Sequence, residues 1–148
     1  MKVVQMMRGA RTLVESIANL ARGENVLIVT DTNRVSIAEV LSAAAYERYA
    51  GEVVISIMTP RTMHGQEPPK TIAAAMKSAD VIFAPTTFSM SRARATKEAR
   101  EAGARVVSMP EWTEDMLIRG GINADFLAIR PKVEKLAKQV TESKTARV

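Results

Sequence analysis

Apolar residues recur at helical spacing through Val3, Met7, Ala10, Leu13 or Val14, Ile17 and Leu20 or Ala21, with charged residues between them. This predicts an N-terminal helix, and Gly23 stands where a left-handed residue would close it. The next segment, NVLIVT (Asn25 to Thr30), is a continuous aliphatic run and not an alternating one, the pattern of a strand covered on both faces. The alternation then repeats. A helix is predicted over about Val35 to Tyr49, a strand EVVISIM ending at Met58, a helix from about Pro69 to Lys77 and a strand DVIFA ending at Ala84. A further helix covers about Ser89 to Ala102, and Gly103 precedes the strand RVVSM.

Strands alternating with helices of this length are βαβ units, which build parallel sheets with helices on both faces. The fold class that follows is α/β: a Rossmann-like three-layer α/β/α sandwich with an open parallel sheet of at least four strands, most simply in the order 2-1-3-4. Residues 1-148 read as one domain of this kind, without internal repeat or low-complexity segment.

After Pro110 the pattern changes. Thr113 is a good N-cap with Glu114 and Asp115 in the first turn, and Gly120-Gly121 stops that short helix. A last helix is expected to start near Asn123 or at Pro131, with Val133, Leu136, Ala137 and Val140 on one face. The terminal TARV reads as the first residues of a strand, so the chain has the look of a fragment.

Composition removes several chemistries. There is no cysteine, hence no disulfide, thiolate nucleophile or sulfur-ligated metal. His64 is the single histidine, so a Ser-His-Asp site would have to use it, and a zinc site would need carboxylates in place of imidazoles. No apolar run approaches the roughly 18 residues of a membrane span, and Arg8, Arg11 and Glu15 interrupt any signal-peptide core, which together point to a cytoplasmic protein. The 21 Lys and Arg against 16 Asp and Glu give a net charge of +5, but the basic residues are spread among acids and aromatics are few, so nucleic acid is a disfavoured partner.

In a sheet of order 2-1-3-4 the ligand crevice lies beyond the carboxyl ends of the first and third strands. That position is lined by Asp31, Thr32, Asn33 and Arg34 after one strand, and by Thr86, Thr87, Ser89, Ser91 and Arg92 after the other. Hydroxyl, amide and guanidinium groups at helix N-termini suit an anion. The same residue types cap helices, and for any single one of them capping is the simpler role. Arg92 and Arg94 fall in a predicted first helical turn, where cations are mildly unfavourable, so an acidic group should face them; Glu98, four residues beyond Arg94, is one such group.

No strand-to-helix turn carries G-x-G-x-x-G, and no G-x-x-x-x-G-K-[ST] is present, which leaves a dinucleotide site without its glycines. The longest polar connection, Thr59 to Lys70, holds His64, read as an exposed loop residue; if this loop closes over the crevice, Arg61, His64 and Gln66 are the side chains that reach a ligand. Glu111, Glu114 and Asp115 around Trp112 have the chemistry for a hard cation, but Glu114 and Asp115 already serve as first-turn helix acids, so no metal site is assigned.

GENVLIVTD, VIFAPTTFSMSRARATKEA, GARVVSMPEWTEDML and KVEKLAKQVTESKTARV together resemble the N-terminal part of the leucyl aminopeptidase (aminopeptidase T) family of metallopeptidases, related to 2,5-dihydroxypyridine dioxygenase-like proteins. The resemblance covers essentially the whole chain, through scaffold phrases and not catalytic signatures. It implies that the metal-binding residues and the catalytic tyrosine belong to a C-terminal domain, so no catalytic residue is carried over. No cofactor is expected in this chain; a divalent metal belongs to the full-length family. The implied function is a non-catalytic domain that walls the substrate cleft and packs on a C-terminal catalytic domain. A homodimer is also expected, from exposed apolar surface and nine methionines. The alternative is a stand-alone α/β module binding a small anionic ligand at the crevice.

Overall fold

The computed structural model describes residues 2–145 and Arg147. Four parallel strands form one sheet in the order β2-β1-β3-β4, with β1 Val26–Asp31, β2 Val53–Met58, β3 Val81–Thr86 and β4 Arg105–Pro110. The helices are α1 Lys2–Thr12, α2 Val35–Glu47, α3 Lys70–Met76, α4 Arg94–Glu101, α5 Glu114–Arg119 and α6 Phe126–Glu142. The expected open α/β sandwich is present, and its strand order is the simplest one.

Alternate residues of the strands serve two cores. Val26, Ile28, Val81, Phe83 and Met109 face α1, α2 and α5, meeting Met6, Ala10, Ile37, Leu41 and Leu117. Leu27, Val29, Ile82 and Ala84 face α3 and α4, meeting Ile72, Met76, Ala95 and Ala99. The central strands β1 and β3 are buried at every position, which is why their sequences run apolar without alternation.

Several expected boundaries move. The N-terminal helix does not run to Gly23. After Thr12 it widens into a π-helical turn, Leu13–Ile17, and Asn19 takes the left-handed conformation (φ 48°) that ends it. Gly23 (φ 85°) instead forms the turn into β1 and donates its N–H to the Tyr49 carbonyl at 2.9 Å. β3 continues through Pro85 to Thr86 instead of stopping at Ala84, because Pro85 still sits in register with Met109 of β4. Toward β1 the backbone ladder ends earlier, at Ile28↔Phe83, since proline has no N–H to give. The fourth helix begins at Arg94 and not near Ser89.

The last helix starts neither near Asn123 nor at Pro131. Asp125 caps it, accepting from the Ala128 N–H at 3.0 Å, and Pro131 lies inside the helix, where its missing N–H forgoes one exposed hydrogen bond. Val133, Leu136 and Val140 do share a face, but no residue of α6 is buried and these three are 57%, 61% and 66% exposed. Of the expected TARV strand, Ala146 and Val148 lie outside the described residues.

Arg105 ties the far end of this framework. Its guanidinium donates to both carboxylate oxygens of Glu24 (3.0 and 2.5 Å) and to the Ala18 carbonyl (2.9 Å), joining the start of β4 to the segment that follows α1. The Arg105 hydrogen bond holds the Glu24 carboxyl below its ordinary value of 4.5, against an opposing effect of partial burial. Because the folded value is the lower one, the pair stabilises the fold above pH 4.5, and that contribution disappears as pH falls through the folded value. Arg105 is 43% exposed, so solvent screening limits the pair to about 1 kcal/mol. Glu24→Gln is therefore expected to lower stability by about 1 kcal/mol at neutral pH and to flatten the acid limb of the stability profile. Urea midpoints measured across pH for both proteins check this; parallel profiles would show that the pair contributes nothing.

Candidate functional site

The β1–β3 backbone ladder ends at Ile28↔Phe83, and the opening beyond the carboxyl ends of these strands is where the crevice of an open parallel sheet belongs. Side chains cross it. The Thr30 hydroxyl donates to the Pro85 carbonyl at 2.8 Å. Asp31, at 0% exposure, accepts from the Asn33 N–H (3.0 Å), the Thr87 N–H (2.5 Å) and the Thr87 hydroxyl (3.1 Å). Asn33 in turn donates through Nδ2 to Thr87 Oγ1 at 3.1 Å. The carboxylate is thus the hub of a clamp between the two loops.

Thr32 is exposed, with its N–H on the Met58 carbonyl at 3.2 Å. Thr86 is buried and donates its hydroxyl to the Phe88 carbonyl, which folds the loop back after β3. Ser89 and Ser91 hydroxyls lie 2.5 Å apart, and Ser89 Oγ also accepts from the Ser91 N–H. These residues shape the loops and do not cap helices with their side chains, because α2 starts at Val35 after Arg34 and α4 at Arg94 after Ala93.

The long connection does reach this loop. His64 is exposed, yet its Nδ1 accepts from the Ser89 N–H at 3.0 Å and its ring meets Phe88 edge-on at 5.2 Å. Gly65 donates to the Ser89 carbonyl at 2.7 Å. Gln66 accepts from both the N–H and the hydroxyl of Thr62, an arrangement internal to the connection. Arg61 points toward Met58 Sδ at 3.7 Å, beside the edge strand β2.

The acid that faces the start of α4 is Glu67. Its carboxylate accepts from the Arg94 and Ala95 N–H groups and so supplies the missing cap from a distant loop. Glu98 makes the expected pair with the Arg94 guanidinium (3.4 Å) and a second one with Lys77 (2.9 Å). Sequence spacing could not reveal Glu67, since the cap crosses 27 positions and matches no local capping motif.

Arg34 and Arg92 do not share one pocket. Arg92 lines a separate, more open depression, also of about 550 Å³, with Lys97 and Arg100 of α4. Arg34 lines a cavity of about 550 Å³ between α1, α2 and α5, together with Asn33, Ile37, Trp112, Glu114 and Ile118. Glu114 there accepts from Lys2 at 3.0 Å, and hydrogen bonds from Ser36 and Lys2 hold its carboxyl below the ordinary value. Asp115 pairs with Arg119 one helical turn on. Among the described residues no group of three or more His, Cys, Asp or Glu side chains is placed to hold a metal ion, and no helix is long and apolar enough to cross a membrane.

Among solved structures the chain is similar to wild-type AmpT from Thermus thermophilus, with 16% identity and a TM-score of 0.56 over 90% of this chain and 48% of that one. It is also similar to a fatty acid ABC transporter substrate-binding protein from Thermomonospora curvata, with 17% identity and a TM-score of 0.50 over 96% of this chain and 41% of that one. The chain spans about half of the first structure and less of the second. At these identities the shared property is the fold. No family profile and no curated protein matches the sequence.

Proposed function

We propose that this chain serves as a non-catalytic domain of an aminopeptidase T-like metallopeptidase, walling the substrate cleft and packing on a catalytic domain that carries the metal. The supporting observation is that nine-tenths of the chain follows the fold of 48% of AmpT. The arrangement of its loops agrees with a scaffolding role. Asp31, Thr86, Thr87, Ser89 and Gln66 are engaged with the protein's own backbone and side chains, and the single histidine accepts a backbone hydrogen bond. The exposed apolar stripe of α6 offers a surface on which a further domain of the same polypeptide would rest, or a second copy in a homodimer.

The test is hydrolysis of a leucyl chromogenic amide with added cobalt, zinc or manganese, run with a sizing measurement on the same sample. The expected outcome is no metal-dependent release from a well-folded protein. Turnover that depends on metal and is abolished by His64→Ala, Glu111→Gln or Asp115→Asn would place the chemistry in this chain and overturn the reading.

A second reading, a small-anion binding module, is favoured by one feature: the Nε of Arg34, like that of Arg61, is buried and has no hydrogen-bond partner among the described residues. The likeness to a transporter's substrate-binding protein is compatible with it at the level of fold.

A further inference from the structure

We infer that the cavity between α1, α2 and α5, and not the opening between β1 and β3, is a binding site for a small organic anion with a carboxylate or phosphate head and an apolar body. The inference deepens the second reading and places its site; it does not depend on the aminopeptidase-like assignment.

Charge selects the ligand's sign. Of the charged groups lining the cavity, Glu114 is paired with Lys2 and Asp115 with Arg119, whereas Arg34 has no carboxylate within ion-pair distance among the described residues. Its Nε is shielded from water and makes no hydrogen bond among the described residues, so this donor's desolvation is uncompensated within the chain. A guanidinium edge presents two parallel N–H groups, the fork that matches a carboxylate or phosphate.

Shape and chemistry of the walls select the body. The cavity of about 550 Å³ falls in the range of small-molecule pockets, and Trp112, Ile37 and Ile118 contribute apolar lining beside the charged groups. α2 begins at Val35, directly after Arg34, with no side chain capping it, so its first amide groups add to the positive potential that the guanidinium sets up. The β1–β3 opening, by contrast, has its carboxylate already satisfied by Asn33 and Thr87.

Trp112 is the only tryptophan in the chain, so its fluorescence reports on this cavity alone. Benzoate, phenyl phosphate and inorganic phosphate are titrated at constant ionic strength into the wild type and into Arg34→Gln, Arg34→Lys and Arg92→Ala, each verified as folded by circular dichroism. The expected result is a saturable change with benzoate or phenyl phosphate, the two arms deciding between the head groups. Inorganic phosphate should bind at least tenfold more weakly for want of an apolar body. Arg34→Gln should weaken binding at least tenfold and Arg34→Lys several-fold, because lysine keeps the charge and loses the fork, while Arg92→Ala leaves it unchanged. No saturable change with any anion, wild-type affinity in both Arg34 variants, or loss of binding in Arg92→Ala would each overturn the inference. Fluorescence reads binding without any peptidase activity, so failure here is distinct from a positive leucyl amide assay.

Discussion

Asp31→Ala is expected to lower the unfolding free energy by about 3 kcal/mol, or roughly 6 to 12 °C in Tm for a chain of this size. The residue is at 0% exposure, and its carboxylate is the acceptor for Asn33 N–H, Thr87 N–H and Thr87 Oγ. Hydrogen bonds to a charged acceptor are stronger than neutral ones, and truncation would leave three part-buried donors without their acceptor. The location adds to the effect, because the β1–β3 backbone ladder has already ended at Ile28↔Phe83 and the clamp holds the two loops together beyond it.

Asp31→Asn should lose about half as much, since one oxygen can keep the two bonds now made to Oδ1 while the amide NH₂ is set against the Thr87 N–H. Chemical denaturation of the two variants checks both numbers. A change under about 0.5 kcal/mol for Asp31→Ala would mean that the carboxylate is not structural, and would return it to the list of residues available to a ligand.

The second large effect is expected at Gly9. By helix propensity alone, alanine in the middle of α1 should stabilise the protein by up to about 1 kcal/mol. The structure reverses the sign. A Cβ at Gly9 would lie 2.3 Å from the Leu117 carbonyl oxygen and 2.9 Å from Leu117 Cα, both backbone atoms of α5. Neither can rotate away, so α1 and α5 must separate, and Leu117, itself fully buried, would be drawn out of the core.

Overpacking of this kind costs about 1 to 3 kcal/mol and here acts on rigid backbone, so Gly9→Ala is expected to destabilise by about 2 kcal/mol after the propensity gain. Because α5 also walls the Trp112 cavity, the tryptophan emission should shift in the same variant. A more stable Gly9→Ala protein with unchanged emission would show that α1 and α5 leave room for a Cβ at this position.

The sequence by itself determined the architecture. Long apolar runs in NVLIVT and DVIFA mark strands buried on both faces, and the helical spacings between them leave a parallel sheet as the simplest solution. It also placed Thr113 correctly as the cap of α5, where the Thr113 side chain accepts from the Met116 N–H, because a capping side chain acts within three residues of itself. What depends on neighbours in sequence, periodicity and local caps, can be read from the chain.

Only the tertiary structure decided the rest. Glu67 caps α4 from across a loop, Asp31 is consumed by Thr87 more than fifty positions away, and Gly9 answers to a carbonyl on α5. The crevice residues, grouped in the sequence by their places at strand ends, separate into a buried clamp, a His64–Ser89 loop contact and two depressions that hold Arg34 and Arg92 apart. The physical reason is the same in each case. Whether a polar side chain is free for a ligand depends on which distant donors or acceptors the fold brings within about 3 Å of it, and hydrogen-bond geometry of that kind leaves no periodic trace in the sequence.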